Sequence, residues 1–208
     1  MTEKMIRKES RLHIVNHWSL AVSCILLAIT GYGFLFRVEI IGLVFGGFNT
    51  MKTLHNWLGV IFTLSLCLSM GPYLREALTF DADDLRWIRV AGGYLSRSVK
   101  SPPMGKINTG QKFFYIGLLL SGIGISLTGF LIWLMPGNKQ VLMWSHLFHN
   151  LCFLYFVVSI PIHIYLGTFA NPGSIQIMVS GMVPYEWAKK KYPKWIAEVE
   201  NHTKGVRF

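Results

Sequence analysis

Four long apolar runs divide the chain, and short polar segments separate them. The runs cover about residues 12–36, 54–74, 113–135 and 143–169. Each is long enough, and poor enough in charge, to form an α-helix across a hydrocarbon core about 30 Å thick. The pattern therefore predicts an all-α integral membrane protein, a bundle of four transmembrane helices forming one domain over residues 1–208.

The basic residues outside these runs lie almost entirely on one side of the predicted membrane. Of the 20 Lys and Arg residues, 17 belong to the N-terminal arm, the connection 75–112 and the tail 170–208. The other three are Arg37, Lys52 and Lys139, on the opposite side. By the positive-inside rule, both termini and the connection are predicted to be cytoplasmic, in the inner membrane of a bacterium.

The composition agrees with a membrane protein and argues against a nucleic-acid-binding protein. Hydrophobic residues make up 52% of the chain and charged residues 14%, well below the share of charge usual in soluble proteins. The net charge of +10 lies beside the spans, where anionic lipid headgroups account for it, so nucleic-acid binding is not expected. The first apolar run is too long for a signal peptide and is interpreted as a retained span.

Two of the predicted cytoplasmic segments are long enough to fold. The connection 75–112 is polar and mixed in charge, which predicts a folded flap containing a short amphipathic helix. The tail from Tyr185 to Glu200 predicts one amphipathic helix, with Trp187 and Trp195 among lysines. That helix is expected to lie along the membrane or to dock on a partner.

Histidine is the ionisable residue that recurs within the spans, near their ends. In the fourth span His149 and His163 are 14 residues apart, hence on nearly one helix face and about 21 Å apart along the axis. His17 falls at the cytoplasmic depth of His163, and His55 at the periplasmic depth of His149. Each depth therefore has two imidazoles from different helices, the ligand set of a bis-histidine haem in a four-helix bundle.

These two pairs predict two b-type haems that transfer single electrons. No Cys-x-x-Cys-His motif is present, so the haems are not covalently attached. Both axial positions are filled in each pair, which leaves the iron no open position for a substrate. His13 and His146 compete for these roles, but their positions favour an interfacial location. A haem-free structural anchor, with every histidine interfacial, stays an alternative.

Several segments together resemble a known family. They are NHW around His17, LHNWLG around His55, GKINTGQK at 105–112, GSIQIMVSGMV at 173–183 and WAKKKYPKW at 187–195. With them, the chain resembles the membrane cytochrome b (gamma) subunit of respiratory formate dehydrogenases, within the di-haem cytochromes b. The resemblance implies haem ligands at His17 and His163 on the cytoplasmic side, and at His55 and His149 on the periplasmic side.

The resemblance also implies a quinone site beside the cytoplasmic haem. Its residues map to Asn108, Gly110 and Gln111, with His163 contributing its second ring nitrogen. Amide groups hydrogen-bond quinone carbonyls, and a glycine lets a ring approach the backbone. Taken without the resemblance, this segment is a polar lead-in to the third span, with Gly110 as a turn residue.

The implied partners are an iron–sulfur subunit and a large molybdenum or tungsten catalytic subunit. Electrons would pass from them to the periplasmic haem, then to the cytoplasmic haem and to menaquinone or ubiquinone. The chain would have no substrate-oxidising site of its own. The alternatives are a cytochrome b of a hydrogenase or of another molybdenum or tungsten oxidoreductase, and a stand-alone quinone-linked haem oxidoreductase. Departures from the family pattern at Ile107, Thr109, Lys191-Tyr192 and Asn171-Pro172 affect the identity of the donor enzyme more than the haem ligands.

Overall fold

A computed structural model describes residues 3–93 and 98–205, without the side chains of residues 203–205. Three of the 17 basic residues on the predicted cytoplasmic side are not fully described. Arg97 and Arg207 lie outside the described residues, and so does the side chain of Lys204.

Helices dominate the described parts of the chain. The first half contains strand β1 (Met5–Arg7) and helices α1 (Arg11–Leu35), α2 (Glu39–Val44), α3 (Phe48–Leu78) and α4 (Ala82–Arg89), then a 3-10 turn at Ala91–Gly93. The second half contains α5 (Thr109–Leu134), α6 (Lys139–Gly167), α7 (Gln176–Val179), strand β2 (Met182–Pro184), α8 (Tyr185–Lys191) and α9 (Pro193–Gly205). Four of these helices, α1, α3, α5 and α6, are long and apolar enough to cross a membrane. The chain is a multi-pass membrane protein with a four-helix bundle, as the sequence predicts.

Three of the long helices begin at least four residues before their apolar runs: α3 at Phe48, α5 at Thr109 and α6 at Lys139. Helix α3 begins six residues before the predicted span 54–74 and continues through Pro72 to Leu78. The hydroxyl of Tyr115 on α5 donates to the carbonyl of Met70, which adds a hydrogen bond beside the proline turn. Helix α5 begins at Thr109 because Asn108 caps it, so the last residues of the predicted flap 75–112 are its first turn.

The bundle is closed by contacts of α1 with α3, α3 with α5, α5 with α6, and α6 with α1. Its small core contains Cys24, Phe62, Leu66 and Phe156. Gly122 lets α5 approach α3, because a Cβ there would stand 2.7 Å from Leu66 Cδ2. Most large apolar side chains of the four helices point outward, which is the arrangement of a bundle that buries its outer surface in lipid.

The described parts of the N-terminal arm, the tail and the flap meet at one end of the bundle, which we call the terminal face. Strands β1 and β2 pair antiparallel, with Met5 opposite Pro184, and join the N-terminal arm to the tail. The backbone N–H of Lys194 donates to the carbonyl of Met104, which joins the tail to the flap. The opposite end, which carries α2 and the α5–α6 connection, is the distal face.

The tail folds as two helices, and the prediction of one helix from Tyr185 to Glu200 is wrong. Proline has no N–H and disfavours a helical residue before it, so Tyr192 leaves the helical conformation and α9 restarts at Pro193. Trp195 is only 8% exposed, in a cluster with Ile177, Val183, Ala188, Tyr192 and Ile196. The tail therefore packs on its own chain, over the N-terminal arm.

The predicted short helix of the flap is α4, and ion pairs hold it against α5 and the tail. The carboxylate of Asp84 is 2% exposed and accepts from Lys112 Nζ at 2.8 Å and from Thr109 Oγ1 at 2.7 Å. On the surface, Lys194 Nζ lies 2.7 Å from both Asp81 and Asp83. The hydrogen bond from Lys194 lowers the pKa of Asp81 to about 2. These contacts fix the position at which α5 begins.

Candidate metal centres

Four histidines form two pairs inside the bundle, at different depths. His17 of α1 and His163 of α6 have ring centres 6.3 Å apart, with planes inclined by 50°. His55 of α3 and His149 of α6 have ring centres 6.4 Å apart, with planes inclined by 55°. We call them the terminal pair and the distal pair, after the face each is nearer. The structure thus brings together both pairs that the sequence predicts.

The spacing within each pair suits one shared metal ion. An imidazole nitrogen binds a metal at about 2 Å, and the ring centre lies about 1 Å behind that nitrogen, so two rings on opposite sides of one ion have centres about 6 Å apart. Both measured separations agree with this value. Two different helix combinations produce the same spacing, which favours a common ligand type over incidental contact.

The number of protein ligands indicates which metal group fits. Within residues 3–93 and 98–205, no group of three or more His, Cys, Asp or Glu side chains is placed to hold a metal ion. A structural zinc site uses four protein ligands, and a catalytic one uses three. An iron held in a porphyrin needs protein ligands only at its two axial positions. The pairs therefore fit haem.

Threonine side chains orient both members of the distal pair. Thr30 Oγ1 lies 2.7 Å from His55 Nδ1, and Thr128 Oγ1 lies 3.1 Å from His149 Nδ1. Each threonine also donates its proton to a carbonyl one turn back in its own helix, at 2.8 Å and 2.7 Å. Its oxygen must then accept from the imidazole, so Nδ1 carries the proton and Nε2 keeps a lone pair for a metal.

The terminal pair has different surroundings. Nδ1 of His17 is buried and has no hydrogen-bond partner among the described residues. A buried polar atom without a partner indicates a missing ligand, ion or water. The ring of Phe114 stacks on His163, with centres 4.5 Å apart and planes within 3° of parallel. This ring fixes His163 on the side of α5.

The predicted quinone residues lie at the start of α5, one turn from Phe114. Asn108 Oδ1 accepts from the N–H of Gln111, and Gln111 Oε1 accepts from the N–H of Asn108, so both oxygens are used in a capping box. Their amide nitrogens have no partner in the part of the chain that the structure describes. Gly110 does not face open space, because a Cβ there would stand 2.8 Å from Cη2 of Trp87. The indole of Trp87, on α4, therefore packs against the backbone of Gly110, and a quinone site at these residues stays a prediction.

Charged side chains of the arm and of α3 surround the segment that leads into α5. Glu9 is 4% exposed, accepts from His13 and pairs with Lys106 Nζ at 3.2 Å. Burial raises the pKa of Glu9, but the hydrogen bond from His13 and the charge of Lys106 outweigh it and hold that pKa below its usual value. Glu76 Oε1 accepts from the N–H of Ile107 at 2.9 Å. Two carboxylates thus stand beside the predicted quinone segment.

The ammonium of Lys8 completes this charged region. It is buried against the tail, with Nζ 3.1 Å from the centre of the Tyr192 ring. Burial lowers the pKa of Lys8 to about 7, although the charge of Glu9 opposes the shift. The arm therefore carries two buried titratable groups of opposite sign next to each other.

Sequence reasoning missed the residues that support the histidines. Thr30 and Thr128 lie in apolar runs without a motif, and Phe114 and Trp87 look like ordinary membrane and flap residues. The carboxylate of Glu9 lies before the first span, so a search of the span interiors does not find it. The sequence does contain a threonine near the depth of each distal histidine. Whether it contacts the histidine depends on how the helices are rotated about their axes, which the sequence does not give.

Comparison with known proteins finds relatives over most of the chain. A sequence model described as prokaryotic cytochrome b561 matches residues 9–184. The chain is 26% identical over 203 residues to the nitrate-inducible formate dehydrogenase cytochrome b556(Fdn) subunit of Escherichia coli strain K12, covering 95% of this chain and 93% of that one. It is 28% identical over 195 residues to the formate dehydrogenase cytochrome b556(fdo) subunit of the same strain, covering 91% and 90%. The formate dehydrogenase cytochrome b556 subunit of Haemophilus influenzae is 25% identical over 194 residues, covering 88% and 79%.

Proposed function

Because the chain belongs to the prokaryotic cytochrome b561 family, we propose that it is the cytochrome b subunit of a formate dehydrogenase and passes its electrons through the membrane to quinone. The family binds b-type haem, which supplies a reversible one-electron couple. One observation carries the proposal: two imidazole pairs with ring centres 6.3 Å and 6.4 Å apart, at two depths of a four-helix bundle. The relatives, all named as formate dehydrogenase cytochrome b556 subunits, support the choice of donor enzyme.

Each pair holds one haem in this proposal. His55 and His149 would hold the haem on the distal side, and His17 and His163 would hold the haem on the terminal side. Along α6 the two histidines are about 21 Å apart, which is about two thirds of the hydrocarbon core. Each haem would supply a one-electron couple, and the two imidazoles of its pair would keep water and substrate from the iron.

The excess of Lys and Arg at the terminal face supports a cytoplasmic location for that face and a periplasmic location for the distal face, in a bacterial inner membrane. The distal pair is then nearest the periplasm, where the electron donor docks. We assign that docking to an iron–sulfur subunit bound to a large molybdenum or tungsten catalytic subunit, in which formate is oxidised. The chain itself contributes the membrane anchor and the two haems.

Quinone is reduced at the terminal face, beside His163. The amide nitrogens of Asn108 and Gln111 donate to a quinone carbonyl, and the indole of Trp87 packs against the backbone of Gly110 to shape the opening. Reduction of a quinone takes up two protons as well as two electrons. Glu9 and Glu76 lie next to the segment that leads to Asn108 and supply acidic groups on the route from the cytoplasm.

Purification with native partners tests the proposal as a whole. The complex is expected to contain two b-type haems per copy of this chain, both reduced by formate and both reoxidised by a quinone analogue. Hydrogen as the only effective reductant would assign the chain to a hydrogenase instead. A reduced-minus-oxidised spectrum without b-type bands would overturn the proposal.

Substitution of Gly110 by alanine tests the quinone site. The new Cβ stands 2.8 Å from Cη2 of Trp87, and overpacking of this kind costs about 1–3 kcal/mol. Displacement of the flap is expected to raise the KM for quinone and to lower kcat/KM about tenfold, which is about 1.4 kcal/mol. Reduction of both haems by formate is expected to stay normal.

Gly137→Ala is the control, because no atom lies within 4 Å of its added Cβ, its φ is not positive, and it lies in the exposed turn between α5 and α6 at the distal face. It is expected to leave quinone kinetics unchanged. Normal quinone kinetics in Gly110→Ala would mean that the site lies elsewhere on the terminal face.

A further inference from the structure

The two histidine pairs differ in what their second ring nitrogens contact. In the distal pair, both imidazoles donate Nδ1–H to a threonine oxygen, Thr30 for His55 and Thr128 for His149. In the terminal pair, the described residues provide no hydrogen-bond acceptor to either His17 or His163, and Nδ1 of His17 is buried without one. The backbone of Ile125 also hydrogen-bonds the His149 ring, so every acceptor that the described residues offer to these four imidazoles lies at the distal pair.

The threonines are constrained to act as acceptors. Thr30 Oγ1 donates to the carbonyl of Leu26 at 2.8 Å, and Thr128 Oγ1 donates to that of Gly124 at 2.7 Å. A hydroxyl has one proton, so each oxygen can meet the imidazole only through a lone pair. The side chain of Thr30 is 0% exposed, and water therefore cannot replace it.

A hydrogen-bond acceptor on Nδ1–H changes the reduction potential of a metal bound to the other ring nitrogen, Nε2. It draws the proton away from the ring and raises the basicity of Nε2, which makes the imidazole a stronger donor to iron. A stronger donor stabilises the ferric state relative to the ferrous state, and second-sphere hydrogen bonds are one of the means by which proteins set haem potentials. Two such bonds on one haem act in the same direction.

We propose that Thr30 and Thr128 lower the reduction potential of the haem at the distal pair below that of the haem at the terminal pair. At equilibrium an electron then resides mainly on the terminal haem, next to the quinone segment. The hydroxyls thereby set the direction of electron flow from the distal face to the terminal face. The inference rests on the proposed function, because it requires a haem at both pairs.

The two bonds are unequal, which makes the proposal quantitative. The contact of Thr30 is 2.7 Å and comes from a threonine that is 0% exposed, whereas that of Thr128 is 3.1 Å and comes from a half-buried threonine. A shorter bond in a drier site polarises the imidazole more strongly. Loss of the Thr30 hydroxyl is therefore expected to have the larger effect on the potential.

Thr30→Val and Thr128→Val, each in the purified complex, provide the test. Valine keeps the shape of threonine and removes the oxygen. Optical redox titration of the two b-type haems is expected to show a higher midpoint potential for the distal haem and an unchanged one for the terminal haem. For Thr30→Val we expect the equilibrium constant for electron transfer between the two haems to shift about tenfold toward the distal haem. This corresponds to a rise of about 59 mV in the midpoint potential of a one-electron couple. Thr128→Val is expected to shift it less.

Two controls separate hydrogen bonding from packing. Thr30→Ser and Thr128→Ser keep the hydroxyl and are expected to restore the normal potentials. Thr63→Val removes a hydroxyl that contacts the carbonyl of Gly59 at 2.8 Å and Ser126 Oγ at 2.9 Å, and no histidine is among its hydrogen-bond partners in the described residues. It is expected to leave both potentials unchanged.

The outcomes distinguish this inference from the proposed function. Complexes without two b-type haems would overturn the proposed function. Two haems with unaltered potentials in both valine variants, or a shift confined to the terminal haem, would overturn the inference alone. Thr30→Val could fail to retain the distal haem. In that case the potential of the distal haem in Thr128→Val decides the inference, because the longer contact of Thr128 makes haem loss less severe. Thr30→Ser then shows whether the hydroxyl restores haem binding.

Discussion

Replacement of His149 by alanine is expected to remove one haem and to leave the other in place. The distal pair loses one of its two axial nitrogens, whereas His17 and His163 of the terminal pair are untouched because they belong to another depth of the bundle. The haem content per chain should fall by half, and the retained haem should keep its optical bands. Transfer of electrons from formate to quinone should fall to background, since the first carrier in the membrane is missing.

His146→Ala is the control for this prediction. His146 is exposed, lies three residues from His149 on the same helix, and belongs to neither ring pair. Its haem content and quinone activity are expected to be normal. Loss of both haems in His149→Ala, or retention of both, would contradict the assignment of one haem to each pair.

Replacement of Lys112 by methionine is expected to destabilise the protein by about 3–5 kcal/mol, because it leaves a buried carboxylate without its cation. Asp84 is 2% exposed, and its partners include Lys112 Nζ at 2.8 Å and Thr109 Oγ1 at 2.7 Å. Water cannot compensate the charge once the lysine is gone. The thermal unfolding midpoint of the detergent-solubilised protein, with haem release as a second signal, measures the loss.

Two further variants make this prediction specific. Lys194→Met removes the surface pairs with Asp81 and Asp83, where solvent already screens the charges, and is expected to cost no more than about 1 kcal/mol. A double variant with Lys112→Met and Asp84→Leu removes both buried charges and should recover much of the lost stability. Equal losses of stability in Lys112→Met and Lys194→Met would show that burial does not make the Asp84–Lys112 pair more important to stability than the surface pairs.

The same ion pair connects stability with the quinone segment. Asp84 holds Thr109 and Lys112, and these residues flank Gly110 and Gln111 in the first turn of α5. Partial loosening of the flap is therefore expected to affect quinone reduction before it affects haem binding.

Much of the architecture could be predicted from the sequence because a bilayer leaves few options. An apolar run of sufficient length must form a helix, since no water is present to satisfy its backbone groups. The pairing by depth of His17 with His163 and of His55 with His149 follows from chain direction and the helical rise, once the spans alternate across the membrane. Neither argument requires knowledge of which helices touch.

The failures of prediction all concern contacts between segments distant along the chain. The pairing of β1 with β2 spans most of the sequence, and three-residue strands carry no usable pattern. The buried position of Trp195 and the break of the tail at Pro193 depend on the arm that covers them. The contact of Trp87 with the backbone of Gly110 also joins distant segments, and the quinone role of Gly110 stays a prediction.

The sequence alone therefore determined the number of membrane helices, the depth of each histidine and the chemistry that two imidazoles can support. Only the tertiary structure decided which nitrogen of each distal histidine remains for iron, because that depends on the rotation of α1 against α3 and of α5 against α6. The length of an apolar run and the rise of a helix depend only on position along the sequence, so the chain alone gives them. A hydrogen bond of 2.7 Å between Thr30 and His55 joins two helices, and packing in three dimensions is what creates it.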